Sequence, residues 1–256
     1  MPRWLIPSAP WAWMWWWPTR SCATLRPSAS WPWPRLARWR PRRPMLHALV
    51  PVKSLALAKG RLAPLLAPHE RQQLVLAMLA DVLAALHATP GVAAVSVLTS
   101  DPRAADAARS CGAAVRPDYG HGLNGSLAAA AADLAAEGFG RVLVLFADLP
   151  LAQPAELATL LDGPAAVALA AADDGGTNAL VAPLPLGFPL FFGARSLARH
   201  QRAARTHGLG VATLHLPGLA FDVDRPEDAL RLAAPHHAGA AAAQIRSILV
   251  AREPSS

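Results

Sequence analysis

The sequence predicts an α/β fold, a mainly parallel central sheet covered by helices. Short apolar runs alternate with stretches of helical period from Leu46 to Ala234, the pattern of parallel strands joined by crossover helices. The clearest run, VLVLFADLPL (142–151), ends abruptly at an acid, Asp148. In open α/β sheets that place, the carboxyl end of a buried strand, is where ligands bind.

Taken in order, LHALVPV (46–52) reads as a buried strand, and HERQQLVLAMLADVLAALHA (69–88) as a helix that stops before Pro90 and Gly91. VAAVSVLT (92–99) is a strand. DPRAADAARSCG (101–112) is a short helix capped by Asp101, since a side-chain oxygen there satisfies free N–H groups, and closed by Gly112. AAVRPD (113–118) is a brief strand and NGSLAAAAADLAAEG (124–138) a helix that leads into the strand before Asp148. A helix over 152–163 follows, then strands over 165–172 and 177–184, a helix over 196–208, a strand over 211–216 and a helix over 226–234. After Pro235 the chain is an Ala-rich tail, 236–256, for which no element is predicted.

The net charge of +7 and the nine Trp suggest a nucleic-acid binder, but both signals are local. Every Trp lies between Trp4 and Trp39, and residues 1–44 hold eight Arg and no acid. Residues 45–256 carry 16 basic and 17 acidic residues, so the rest of the chain is near neutral, without a nucleic-acid footprint. About 190 residues, 45–235, suit one domain with a proper core. Cys22 and Cys111 give neither a disulfide framework nor a metal knuckle, which fits a cytoplasmic protein. The leader's apolar run is too short to span a bilayer and lacks the core of a signal peptide. It reads either as an arm for a membrane surface or anionic partner or, the favoured expectation, as a misread frame upstream of a start at Met45.

Several loops carry chemistry. PVKSLALAKGRL (51–62) follows the first strand and offers Lys53, Lys59 and Arg61 where phosphates would lie. It contains no glycine-rich nucleotide fingerprint, so side-chain charge must replace a backbone cradle. Asp148, with Asp222 and Asp224 of LAFDVDRPEDAL (219–230), forms a carboxylate set suited to Mg²⁺. Taken singly, each acid fits a turn or a cap equally well; the set of acids and the lysine loop together favour the metal. Asn124 enters a helix after a glycine loop, and its reading as a plain cap is as good. Thr177 and Asn178 of DDGGTNAL, with Gly193, Ser196 and Arg199 of FFGARSLARH, offer donors for an anion. His200 is assigned no proton-transfer role.

In this order and spacing, PVKxxxxAKxRL, GLNxxL, ADLP, DGGTNAL, FGxxSxxRH and FDVDxPED resemble the guanylyltransferases of deazaflavin coenzyme (F-420) biosynthesis. The likeness covers nearly all of residues 46–233. It implies a single-domain nucleotidyltransferase fold of the GT-A-like type. It also implies transfer of GMP from GTP to phosphoenolpyruvate, 3-phosphoglycerate or 2-phospholactate, with release of pyrophosphate. The product then passes to a downstream transferase. By the resemblance, Asp148 and Asp222 hold Mg²⁺ with Asp224 as helper, and Lys53, Lys59 and Arg61 grip the triphosphate. Asn124 sits near the nucleotide, while Thr177, Gly193 and Ser196 bind the acid, with Arg199 nearby. Ala147 stands where many relatives have Gly before the acid of the DLP motif. The preference for guanine comes from the resemblance alone. The alternatives are a molybdopterin- or sugar-phosphate-type nucleotidyltransferase, whose glycine-rich first loop is missing here, a noncatalytic nucleotide-binding module, or a protein acting through its leader.

Overall fold

The computed structural model describes residues 44–252, which belong to a unit of residues 43–256. The Trp- and Arg-rich leader, and with it every expectation about its role, lies outside the described residues, as do the last four positions.

Seven strands form one sheet: β1 (Leu46–Pro51), β2 (Val92–Leu98), β3 (Ala114–Arg116), β4 (Arg141–Leu145), β5 (Val167–Ala171), β6 (Thr177–Pro183) and β7 (Val211–Leu214). Their order is β3-β2-β1-β4-β6-β5-β7. β1 pairs in parallel with β2 and β4, β2 with β3, and β5 with β7. β6 alone runs against its neighbours, β4 and β5. The sheet is therefore mainly parallel, and its one reversed strand has a use described below.

Helices cover both faces: α1 (Pro68–His87), α2 (Pro102–Ser110), α3 (Gly122–Ala136), α4 (Pro154–Leu161), α5 (Ser196–Thr206), α6 (Pro217–Ala220), α7 (Pro226–Leu232) and α8 (Ala240–Val250). Successive strand residues point to opposite faces. Ala48, Val50, Leu143 and Leu145 join one core with α1, α4, α7 and α8. Leu49, Val142 and Val144 join a second core with α3 and α5. In α1, Leu74, Met78, Leu79, Val82, Leu83 and Leu86 are fully buried at helical spacing; each contributes about 1.5–3 kcal/mol of transfer free energy. Asp101 caps α2 as predicted, accepting from the N–H groups of Arg103 and Ala104 at 3.0 and 3.3 Å.

Three local features differ from the sequence reading. β4 stops at Leu145, three residues before the acid, because its antiparallel pairing with β6 ends at Leu145 and Ala179. The stretch before Asp222, for which no element is predicted, forms the single turn α6. The Ala-rich stretch after Pro235 forms α8, whose Ala241, Ala242, Ile245 and Ile248 are buried. Asp81 of α1 holds its start, accepting from the N–H groups of Ala240 and Ala241 at 2.7 and 2.8 Å. Among the described residues no helix is long and apolar enough to cross a membrane.

Candidate active site

Two segments converge beyond the carboxyl ends of β1 and β4. After β1 the chain passes Lys53 and makes two short 3-10 turns, Leu55–Leu57 and Gly60–Leu62, with Lys59 between them. Lys59 sits in the left-handed region, φ 52°, a conformation that costs a non-glycine residue roughly 1 kcal/mol and marks positions where geometry is imposed. After β4 the chain places Asp148, whose backbone carbonyl accepts from the Val223 N–H at 3.1 Å. That bond ties the DLP turn to the segment carrying Asp222 and Asp224.

β6 provides the second tie. Because it runs antiparallel, its first residues, not its last, lie at the active edge of the sheet. The carbonyl of Asn178 accepts from the Phe146 N–H at 3.2 Å. Its buried side-chain amide donates to the carbonyl of Leu219 at 3.0 Å. One residue thus fixes both acid-bearing segments. In sequence, Asn178 offered only a general donor; its partners are 32 and 41 positions away along the chain.

The carboxylates of Asp148, Asp222 and Asp224 each bring an oxygen within 4.8 Å of the others. Lys59 Nζ donates to Asp148 Oδ2 and to Asp224 Oδ1, both at 2.7 Å, and Arg61 reaches the other oxygen of Asp224 at 3.3 Å. Burial alone would lower the Lys59 pKa, but Asp148 and Asp224 outweigh it and hold the ammonium above its ordinary value. Burial would likewise raise the Asp224 pKa, but Lys59 and Arg61 hold it below the usual carboxylate range. Asp222 accepts no bond from either cation, and the pull of Lys59 on it is outweighed. Burial, then the charges of Asp148 and Asp224, push it up to about 6. A cluster with this excess of negative charge fits a hard divalent ion, which takes carboxylate oxygens.

The acids stand between two hollows. One, of about 400 Å³, is lined by Lys53, Lys59, Met78, Phe146, Asp148 and Asp224 among others. The second, of about 310 Å³, meets Arg61, Asp222, Asp224 and Arg225. Lys53 is exposed at the rim of the first.

The remaining candidates gather beside this centre, behind β6. His200 is fully buried. Its Nε2 accepts from the Phe191 N–H at 2.8 Å, so Nδ1 carries the proton and donates to Thr177 Oγ1 at 3.1 Å. Burial first, and Arg199 second, depress its pKa to about 4. It is a neutral strut between Thr177 and the Phe191 backbone. Asn124 grips both backbone groups of Phe192, accepting at 2.7 Å and donating at 3.1 Å. The turn from Gly193 to Ser196 is closed by a 3.1 Å bond between them; Ser196 is buried, while the Arg199 guanidinium lies over the Phe191 ring at 4.4 Å. Phe192 touches both Phe146 and His200 edge-on, so the two groups of candidates share one aromatic contact. Sequence reading missed these locking roles of Asn124, Asn178 and His200, since a polar residue looks the same whether it faces a ligand or a backbone.

Known proteins bear on this geometry. The sequence model of the family described as "Guanylyl transferase CofC like" matches residues 46–255. A phosphoenolpyruvate guanylyltransferase of Rubrobacter xylanophilus is 42% identical over 193 residues, 74% of this chain and 94% of that protein. One of Roseiflexus castenholzii is 41% identical over 188 residues, 73% and 88% of the two chains. Among solved structures, a nucleotidyl transferase from Methanothermobacter thermautotroptrophicus shares the fold with TM-score 0.53 at 20% identity, covering 73% of this chain and 95% of its own. A cytidylyltransferase from Leptospira borgpetersenii does so with TM-score 0.53 at 14% identity, covering 82% and 95%.

Proposed function

The chain belongs to the family of CofC-like guanylyl transferases, and from that premise we propose that it transfers GMP from GTP to phosphoenolpyruvate. The single observation behind this choice of acceptor is the group of relatives near 40% identity named for it. A phosphate oxygen of the acceptor attacks the α-phosphorus of GTP in line; the bond to the β-phosphate breaks, and pyrophosphate leaves. The acceptor phosphate is already anionic near neutral pH, so positioning and charge neutralisation carry the catalysis.

In this reading Asp148 and Asp222 hold Mg²⁺, with Asp224 as helper. When bound, the ion supplies charge neutralisation at the phosphate oxygens. Lys59 and Arg61 bind the triphosphate, with Lys53 from the rim of the cleft. Thr177, Gly193, Ser196 and Arg199 receive the acid's carboxylate and phosphate. Asn124 lies near the nucleotide and also holds the backbone of Phe192 in the loop on the acceptor side. The reaction takes place in the cytoplasm, and the guanylated product serves a downstream transferase in the F-420 pathway.

The test is pyrophosphate release by the purified full chain with Mg²⁺ and GTP, offering phosphoenolpyruvate, 3-phosphoglycerate and 2-phospholactate in turn, with ATP as control. Release with GTP and phosphoenolpyruvate is expected. Release only with another acid would correct the acceptor. Silence with all three, from a folded chain that binds GTP, would point to a noncatalytic nucleotide-binding module.

A further inference from the structure

Lys59 and a divalent cation claim the same atoms. The Lys59 ammonium holds Asp148 Oδ2 and Asp224 Oδ1, both at 2.7 Å, and these carboxylates belong to the set whose oxygens come within 4.8 Å of one another. Arg61 occupies the remaining oxygen of Asp224. Of the three acids, only Asp222 has no bond from either cation. An ion held by all three acids would lie a few ångströms from the ammonium, where repulsion between cations is strong in a partly buried site.

The surroundings allow the ammonium to leave. The Lys59 backbone is fixed, because its carbonyl accepts from the Leu62 N–H at 2.9 Å and the preceding Ala58 N–H is bonded to Leu55. The side chain beyond it, 10% exposed in this state, is a four-carbon stem of rotatable bonds. Lys59 also lines the hollow that reaches Lys53, where a triphosphate would give the ammonium a second anionic partner.

We propose that Lys59 is an exchangeable counter-ion, which competes with the divalent cation for Asp148 and Asp224 and gives these oxygens up as the cation enters. This rests on the metal reading above. The competition makes the cation a weak ligand by itself and a strong one once phosphates engage the lysine, so that metal and nucleotide load together.

Two measurements test it. The first is Mn²⁺ binding to nucleotide-free protein, followed by electron paramagnetic resonance, for the wild type and Lys59→Met. At least tenfold tighter binding by the variant is expected, since the competing charge is gone; equal or weaker binding by a folded variant overturns the exchange. The second needs no variant. Lys53 and Lys59 are the only lysines in the chain, so acetylation by acetic anhydride, read by mass spectrometry, reports Lys59 against an internal control. Saturating Mn²⁺ should raise labelling of Lys59 several-fold and leave Lys53 unchanged. Bound Mn²⁺ with unaltered Lys59 labelling overturns the exchange alone. If neither protein binds Mn²⁺, with or without GTP, the metal reading falls and the exchange falls with it.

Discussion

Asp222 and Asp148 belong to one carboxylate cluster but differ in their charge compensation. Asp148 is compensated by Lys59, whereas Asp222 is pushed up to about 6 from 3.8, so at neutral pH it is ionised against the preference of the fold. Its penalty is absent below pH 3.8 and grows as the pH rises through 6. Asp222→Asn should therefore raise the stability of chelator-treated protein at pH 7.5 by about 1–2 kcal/mol after solvent screening, or about 4 °C in melting. Asp148→Asn, which unbalances Lys59, should give no such gain. Both variants should lose nearly all turnover while keeping wild-type circular dichroism. A lower melting temperature for Asp222→Asn, or activity within a few-fold of wild type for Asp148→Asn, would contradict this. At the residue scale the acids were legible because each ends an apolar stretch where ligands gather. Asn178 and His200 were less so: their partners are backbone groups made neighbours only by the sheet.

Among elements, the alternation of strand and helix was legible because period and burial are written locally. The direction of β6 was not, since TNALVAP is equally apolar read from either end. α8 was hidden for a different reason: AAAAQIRSILV has the composition of a tail, and the residue that starts it, Asp81, sits mid-way along α1. Asp81→Ala removes both bonds to the first turn of α8 and should cost about 1–2 kcal/mol. Gly239→Ala should act in the same direction, because at φ 110° a new Cβ would meet the Asp81 carboxylate at 2.9 Å. Hydrogen exchange is the check: protection over 240–250 should fall first, with β1 and β4 still protected. Uniform loss across the chain would instead make α8 part of the global unfolding unit.

For the whole molecule, acid is the informative stress. His47 is buried in β1 and bonded to Ser96 at 2.8 Å. Burial, then Arg116, depress it to about 4; His200 is depressed equally. The unfolded chain takes up both protons near pH 6.5 and the folded chain only near 4. Their contribution is thus complete above 6.5 and lost as the pH falls toward 4. Asp222 works the other way over a similar range, relieving its penalty as it takes up a proton. Two groups against one predict a net loss of a few kcal/mol between pH 7 and pH 4.5, measurable as a fall in the urea midpoint. In Asp222→Asn the fall should be steeper, because the opposing group is gone. A flat profile would show that water reaches the two imidazoles.

The reversed strand carries a consequence for how such an enzyme can change. The chain reaches the side proposed for the acceptor by entering a strand, at Thr177 and Asn178, and the side proposed for the donor by leaving strands, after Pro51 and Leu145. Sequence changes in the hairpin over 172–176 and in the loop that follows β6 should therefore leave both strand-leaving loops in place, provided that Asn178 keeps its two bonds and Phe192 its contact with Phe146. Under the proposed assignment, acceptor choice and nucleotide chemistry are separable inheritances on one sheet, joined at Asn178 and at the contact between Phe146 and Phe192.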